Sequence, residues 1–355
     1  MRRIYTITFQ SALNYGATLQ AYALAKFLEN ASFEAKIINY IPSYFFLQRY
    51  RPAKGIKKTI EKISKIKRFN KFANAHLPLT AKKYYSRKSL SSINDAHAII
   101  CGSDQIWNPD LTGGKSDRAF FLDFPPRSTR KIAFAASTGS RRLPDFIDQV
   151  KESLLEFHAM GVREDSLNSD LATLLPEIGS QVVVDPTLLI RDYSEVIDSS
   201  IVPKEKYIAT YVVGSGPMLA KFDDYVKELK KKTHLPIYHL GSKPIPSADH
   251  NLLDIGPSEW LTFIQSADFI ATNSFHGTAF SINFEKDFLF FPHLIENLNA
   301  RQTTLLSRVE LMDRLVDSPK ALAERDLTPI EYSIVRPRLS KIISDSQDFL
   351  LRSIG

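Results

Sequence analysis

The feature that most constrains this fold is the alternation of short apolar, strand-like runs with segments of helical periodicity. Helical patterns occur at 17–29, 144–156, 218–232, 257–266 and 277–284. The strand-like runs are 4–9, 36–40, 97–101, 131–136, 159–163, 181–184, 207–213, 236–240, 268–272 and 288–291. This alternation is typical of α/β proteins with parallel sheets. We therefore predict an α/β protein whose ligands bind beyond the carboxyl ends of the strands.

The length of 355 residues predicts two domains, at ~100–200 residues per domain. The polar stretch 191–206 separates two series of strands and marks the boundary. We predict two Rossmann-like domains facing a cleft, the first at 1–195 with a basic helical insertion at about 43–90, the second at 196–330. A terminal helix at 331–355, regular only after Pro337, is expected to be able to pack back on the first domain.

Cysteine usage and hydropathy exclude several classes of protein. The one cysteine, Cys101, cannot form an intrachain disulfide or a CxxC site, and it is expected to be a core thiol. The eight histidines show no metal-ligand spacing, so no protein-bound metal is expected. No apolar run approaches the ~18 residues of a membrane span, and the start of the sequence lacks the apolar region of a signal peptide. We expect a cytoplasmic protein.

Two segments that follow strands are candidate anion sites. Asn14 is a suitable N-cap for the first helix, and Gly16 would let a phosphate or carboxylate approach the helix N-terminus. The competing interpretation is a plain capped helix. Arg163 ends an apolar strand, where its guanidinium could hold an anion with two hydrogen bonds. The equally weighted alternative is an ion pair with Glu164 or Asp185.

The loop at 101–109 carries the side chains best suited to bind hydroxyl groups. Asp104, Gln105 and Asn108 can hydrogen-bond a sugar, and Trp107 could stack on a sugar face. The alternative is a turn in which Trp107 covers the edge of the core.

The sharpest motif lies where the strand at 268–272 gives way to a helix. Asn273 and Ser274 end the strand, and Gly277 permits close packing of the helix that follows. His276 is then placed at a helix N-terminus, and histidine is the side chain best suited to proton transfer near neutral pH. A structural role is the alternative. Arg301, before a later helix, could reach an anion.

Five motifs in this order resemble the polysaccharide pyruvyl transferase family from about residue 4 to residue 301. They are Asn14-Tyr15-Gly16-Ala17-Thr18-Leu19-Gln20, Gly102-Ser103-Asp104-Gln105-Ile106-Trp107-Asn108, Val162-Arg163-Glu164, Asp185-Pro186-Thr187 and Ser274-Phe275-His276-Gly277-Thr278-Ala279-Phe280.

The resemblance implies a fold similar to GT-B glycosyltransferases and no cofactor. It also implies phosphoenolpyruvate as donor co-substrate and a sugar diol, usually on a lipid-linked precursor, as acceptor. The product would be a pyruvate ketal of a cell-surface polysaccharide. The family's catalytic histidine falls on His276 and its donor-binding arginine on Arg163, and Asp104 is our candidate base. Many members carry a second arginine where this chain has Ser274, so Arg301 or another cation substitutes, or the donor differs.

Two other functions are also compatible with the sequence. One is a glycosyltransferase with a nucleotide-sugar donor, in which Gly214-Ser215-Gly216 and His276 would face a diphosphate. The other is a non-catalytic carbohydrate-binding or assembly protein, for which the serine at position 274 is the support.

The positive charge of the chain is concentrated in one segment. Fourteen Lys or Arg and one acid, Glu61, lie between residues 49 and 88, which gives this window +13 against +7 for the whole chain. Ile56, Ile60 and Ile63, followed by Ile66, share one helical face within it. One interpretation is an insertion packed on the first domain with a solvated basic face; the other is contact with an anionic membrane surface at the inner leaflet. Nucleic acid is disfavoured because stacking aromatics are not interleaved with the charges.

Overall fold

The computed structural model describes residues 2–355 and contains two sheets, both entirely parallel. The seven strands of the first sheet are β1 (Arg3–Ile7), β2 (Glu34–Tyr40), β3 (Leu79–Tyr84), β4 (Ala98–Cys101), β5 (Arg130–Ala136), β6 (Ala159–Val162) and β7 (Ser180–Val182). The five strands of the second sheet are β8 (Ile208–Tyr211), β9 (Ile237–His239), β10 (His250–Asn251), β11 (Phe269–Thr272) and β12 (Asp287–Phe290).

Helices lie in most of the connections between strands, as is usual for parallel pairing. The α-helices are α1 (Tyr15–Asn30), α2 (Ser43–Tyr50), α3 (Ile56–His76), α4 (Arg87–Leu90), α5 (Ile147–Leu154), α6 (Asp165–Leu174), α7 (Pro217–Thr233), α8 (Pro257–Ser266), α9 (Phe275–Asn283), α10 (Ala300–Arg308), α11 (Pro319–Glu324) and α12 (Tyr332–Ile354). Short 3₁₀ helices occupy Pro109–Leu111, Arg118–Phe121, Leu143–Asp145, Pro186–Leu188, Ser194–Val196, Ser199–Ile201, Glu296–Asn299 and Met312–Arg314.

The prediction of an α/β fold with two parallel sheets is confirmed, and each of the ten predicted strands is present. The order of the first sheet is β3-β2-β1-β4-β5-β6-β7, and that of the second is β10-β9-β8-β11-β12. In the first sheet, Ile4 lies opposite Ala35 on one side and Ala98 on the other. The strand order therefore reverses once in each sheet, between β1 and β4 in the first and between β8 and β11 in the second.

The chain divides into two compact units, neither of which is one continuous segment. The first unit comprises the residues up to Pro52, Ala73–Ile190 and Ser340–Gly355; the second comprises Ala53–Phe72 and Arg191–Leu339. The division differs from the sequence-based one mainly in the basic insertion, since Ala53–Phe72 belongs to the second unit and not to the first. Polar contacts from α3, such as Ser64 with Asp254 at 2.7 Å, explain this placement.

The C-terminal helix is regular over its whole length, which corrects the expectation that it would be regular only after Pro337. Helix α12 begins at Tyr332 and includes Pro337. Proline at this position removes only the bond to a carbonyl in the first turn, a loss that a 23-residue helix tolerates.

Candidate functional site

The topology of each sheet marks where a ligand site is expected. In open parallel sheets, ligands bind beyond the carboxyl ends of the two strands between which the strand order reverses. In the first unit these are β1 and β4, followed by the segments at 8–14 and 102–108. In the second unit they are β8 and β11, followed by 212–216 and 273–274.

A buried ion-pair network occupies this edge of the first unit. Arg163 follows β6, and its guanidinium donates to the carboxylate of Asp185 at 2.8 Å and to that of Asp104 at 3.3 Å. Burial disfavours the charged guanidinium, but Asp185, Asp104 and Glu164 outweigh it and raise the pKa of Arg163. The geometry thus favours the ion-pair interpretation of Arg163, with Asp185 as the closer partner.

Side-chain hydrogen bonds connect this network to the first strand and helix. Ser103 donates to Asp185 at 2.7 Å, while its backbone N–H donates to Gln20 at 3.0 Å. Gln20 donates to Thr8 at 2.8 Å, and Thr8 donates to the Ser103 carbonyl at 2.9 Å. The loop after β4 is therefore fixed to β1 and α1 by buried polar contacts.

The backbone after β4 adopts conformations that few residues allow. Gly102 has φ 118°, and a Cβ there would lie 2.1 Å from the Phe134 carbonyl oxygen, so only glycine fits. Asp104 has φ 79°, and backbone conformations of this kind cluster at functional sites. Its carboxylate accepts from the Gln105 N–H at 2.8 Å and from Arg163, so the side chain is held by two contacts.

The first helix begins as the sequence predicted. Asn14 is the N-cap of α1, and its side-chain oxygen accepts from the Ala17 N–H at 3.1 Å. Gly16 lies buried in the first turn. The geometry is that of a capped helix, and its N-terminus lies at the carboxyl edge of β1.

The loop proposed to bind the acceptor is partly a structural element. The Asn108 side chain donates to Gln105 at 3.1 Å and accepts from the Asp110 N–H. Trp107 is fully buried, stacks on Phe121 with ring centroids 5.3 Å apart and donates to the Phe120 carbonyl. The expected stacking of Trp107 on a sugar is therefore wrong, because both faces of its indole belong to the core.

In the second unit, the predicted residues cluster after β11. The Asn273 side chain bonds the Val213 backbone twice, accepting at 2.7 Å and donating at 2.8 Å, and so connects the ends of β8 and β11. Ser274 is the N-cap of α9, with its hydroxyl 3.4 Å from the Gly277 N–H. His276 is the second residue of α9 and is almost completely buried.

Helix α10 begins beside this cluster. Gln302 donates to the Asn273 carbonyl at 3.2 Å, which brings the first turn of α10 to the end of β11. Arg301 is buried in that turn, and one guanidinium nitrogen lies 3.4 Å from the Leu298 carbonyl. His293 lies close enough that burial, reinforced by the charge of Arg301, lowers its pKa.

Asp185 was predicted only as a possible partner of Arg163, and no role was predicted for Ser103. The sequence feature that could have indicated a role for Asp185 is its position directly after a strand and before Pro186 and Thr187. The Asp185 carboxylate caps the 3₁₀ turn that follows, and it accepts from the N–H and the hydroxyl of Thr187. Within residues 2–355, no group of three or more His, Cys, Asp or Glu is arranged to hold a metal ion.

A family model and solved structures match this chain. The model of the polysaccharide pyruvyl transferase family matches residues 14–293, which include every candidate site residue except Arg301. No curated protein sequence matches significantly.

Three solved structures share the fold at low sequence identity. The S. aureus MnaA–UDP co-structure has a TM-score of 0.53 at 12% identity, covering 98% of this chain and 91% of that one. A putative UDP-N-acetylglucosamine 2-epimerase from Listeria monocytogenes has 0.54 at 8%, covering 98% and 90%. The UDP-GlcNAc 2-epimerase from Neisseria meningitidis bound to UDP-GlcNAc has 0.51 at 9%, covering 99% of each chain.

A membrane-spanning helix is not found in the part of the chain described, residues 2–355, because none of its helices combines the necessary length and apolarity.

Proposed function

Because the chain belongs to the polysaccharide pyruvyl transferase family, we propose that it transfers pyruvate from phosphoenolpyruvate to a sugar diol. The acceptor is a polysaccharide precursor carried on a lipid diphosphate, reached at the inner face of the membrane. The family match over residues 14–293 is the observation that carries the proposal. Likeness to UDP-binding structures supports the fold alone.

The reaction needs one proton donor, one proton acceptor and two anion contacts. Protonation of the methylene carbon of phosphoenolpyruvate gives a methyl group and an electron-deficient C2. The two sugar hydroxyls form two C–O bonds to C2, and the C2–O bond to phosphate breaks. Of the two protons that the hydroxyls lose, one replaces the proton given to the methylene carbon and the other leaves with the phosphate. Donor and diol together contain every atom of the ketal and of inorganic phosphate, so no further reactant is consumed.

We assign the proton donor to His276 and the base to Asp104. His276 occupies the first turn of a helix at the edge where ligands are expected. Asp104 is the candidate base because Arg163 and the Gln105 N–H hold its carboxylate in place at the corresponding edge of the first sheet. We propose that Arg163 mainly positions Asp104. Its direct contribution to donor binding is secondary, because its guanidinium is already paired with the Asp185 carboxylate.

For donor binding we propose three groups in addition to Arg163. Arg301 replaces the cation that other members carry at the position of Ser274. The N-termini of α1, after Asn14 and Gly16, and of α9, after Asn273 and Ser274 with Gly277 in the first turn, provide N–H groups for the phosphate or carboxylate. Gln105 and Asn108 remain the candidates for contacts with acceptor hydroxyls.

The test is turnover with phosphoenolpyruvate and a panel of nitrophenyl glycosides and lipid-diphosphate-linked glycans. We expect phosphate release that depends on the acceptor, and a product heavier by one pyruvate minus one water. Thermal unfolding with phosphoenolpyruvate, uridine and guanosine nucleotides adds a separate criterion. Stabilisation by a nucleotide alone, with no phosphate release, would replace the proposal by a glycosyltransferase; glycan binding without turnover would indicate a binding protein.

A further inference from the structure

Helix α3 exposes its most apolar face. Ile56, Ile60 and Ile63, here called the isoleucine face, are 83%, 61% and 47% exposed. Their spacing places them on one side of the helix. Packing of the insertion on the first domain was one interpretation of the sequence, and in the structure this side of the helix is exposed. Contiguous exposed apolar side chains mark surfaces that bind a partner or a membrane.

The opposite side of α3 is anchored, so the exposure is not the result of an undocked helix. Phe69, Phe72 and Lys65 are buried in this helix. The Lys65 ammonium donates to the Ser242 hydroxyl at 2.9 Å, although burying a lysine is costly. Arg68 pairs with Glu259 on α8. These contacts fix the rotation of α3 and hold the isoleucine face outward.

The surroundings of the isoleucine face are strongly cationic. Residues 53–72 contain eight Lys or Arg and one acid, Glu61, a net charge of +7. Lys54, Lys57, Lys58 and Lys67 are exposed around or beyond the three isoleucines. An apolar stripe bordered by lysines is the pattern of a helix that lies in a membrane interface, where lysines meet anionic headgroups.

We infer that the isoleucine face of α3 docks on the surface of an anionic lipid bilayer. The three isoleucines enter the boundary between headgroups and acyl chains, and the flanking lysines contact lipid phosphates. A second copy of the chain is a poorer occupant, because pairing this face with itself would bring two segments of +7 together. The inference goes beyond the proposed reaction, since docking needs neither donor nor acceptor.

The experiment is co-flotation of the full-length protein with vesicles of phosphatidylcholine alone or mixed with phosphatidylglycerol. One variant carries Ile56→Ser, Ile60→Ser and Ile63→Ser; a second carries Lys57→Glu, Lys58→Glu and Lys62→Glu. The matched controls are Ile334→Ser, at an isoleucine 51% exposed on α12, and the triple change Lys204→Glu, Lys206→Glu, Lys243→Glu at exposed lysines. Thermal unfolding verifies that each variant is folded.

We expect binding to the anionic vesicles alone, weakened by salt, with affinity ~10-fold or more lower in both test variants and unchanged in both controls. Equal binding to neutral vesicles, or no binding, would overturn the inference. Retained binding in the isoleucine variant would also overturn it. A dimer in light scattering that this variant abolishes, without vesicle binding, would assign the face to a second copy. Flotation does not depend on turnover, so a failure of docking would not contradict the proposed reaction.

Discussion

His276 is an almost completely buried imidazole in the first turn of α9. If it is the proton donor, His276→Gln should lower kcat by ~10²–10⁴-fold, because glutamine keeps the hydrogen-bonding capacity but cannot transfer the proton. Phosphate release in the presence of phosphoenolpyruvate and an acceptor measures the effect. The unfolding temperature should change little.

A second histidine of the same unit provides the control. His250 lies on β10, exposed, with its ring stacked on Tyr238. His250→Gln should leave turnover unchanged. Normal turnover in His276→Gln would remove His276 from the mechanism.

Arg163 makes a prediction about stability. Its buried guanidinium compensates the Asp185 carboxylate, so Arg163→Met should leave that charge unpaired and lower the free energy of unfolding by ~3–5 kcal/mol. The exposed pair of Arg338 with Glu310 is the comparison, and Arg338→Met should cost at most ~1 kcal/mol. Urea denaturation measures both. A raised KM with unchanged stability in Arg163→Met would instead favour direct donor binding.

The sequence predicted the chemistry of single residues better than their partners. Asn14 could be identified as an N-cap because a cap depends on local geometry. The pairing of Arg163 with Asp185 could be stated only as an alternative, and Trp107 was misassigned. In both cases the outcome depends on elements distant in sequence, such as Phe121 beside the indole.

At the scale of an element, the packing of α9 on β11 depends on Gly277. A Cβ there would lie 2.4 Å from the Thr272 hydroxyl, which itself donates to the Tyr211 carbonyl. Gly277→Ala should therefore cost ~1–3 kcal/mol of stability. Gly179→Ala is the control, since nothing lies within 4 Å of its added Cβ, and it should stay within ~0.5 kcal/mol. Equal stability of the two variants in urea denaturation would contradict this account.

The anchored side of α3 predicts a dependence of stability on pH. Burial lowers the pKa of Lys65 to about 8, against an ordinary value of 10.5, and the charge of Asp254 opposes this only in part. Between these values the unfolded chain binds a proton that the folded chain lacks, so the free energy of unfolding rises with pH. The free energy of unfolding of the native protein should therefore rise relative to that of Lys65→Met from about pH 8 to about pH 10.

An exposed lysine of the same helix is the reference for that measurement. Lys67→Met removes a positive charge from an exposed position, so it shows how much of the pH dependence comes from the loss of a charge alone. The same pH dependence in both variants would mean that the Lys65 ammonium is solvated in the folded protein.

Strands and helices could be predicted where the spacing of apolar residues shows which side of the element is buried. The ten predicted strands all occur, and two further strands were missed. They are β3, an edge strand with exposed Lys82 and Lys83, and β10, an edge strand of only two residues. The helical periodicity of the isoleucines in the basic segment left two interpretations open, packing on the first domain or contact with a membrane surface. In the structure Phe69 and Phe72, with Lys65, are buried instead, and periodicity alone could not show which side would find a partner.

At the scale of the whole molecule, the chain passes between the two units more than once. The first unit includes Ser340–Gly355, so this segment packs with residues that lie more than 100 positions earlier in the sequence. Ser346 accepts from the Val184 N–H at 3.0 Å, Gln347 donates to the Leu189 carbonyl at 3.1 Å, and Phe349 stacks on Phe134. Such a chain is expected to unfold in more than one step.

Two adjacent leucines of α12 test this dependence in the full-length protein. Leu350 is completely buried and Leu351 is 37% exposed, so Leu350→Ala should cost ~2–5 kcal/mol and Leu351→Ala ~0.5 kcal/mol or less. Hydrogen exchange should show faster exchange in β4 and β5 of the Leu350→Ala variant, while β11 keeps its protection, because α12 contributes these residues to the first unit alone. Loss of protection in all three strands at once would show instead that the two units unfold as one cooperative body.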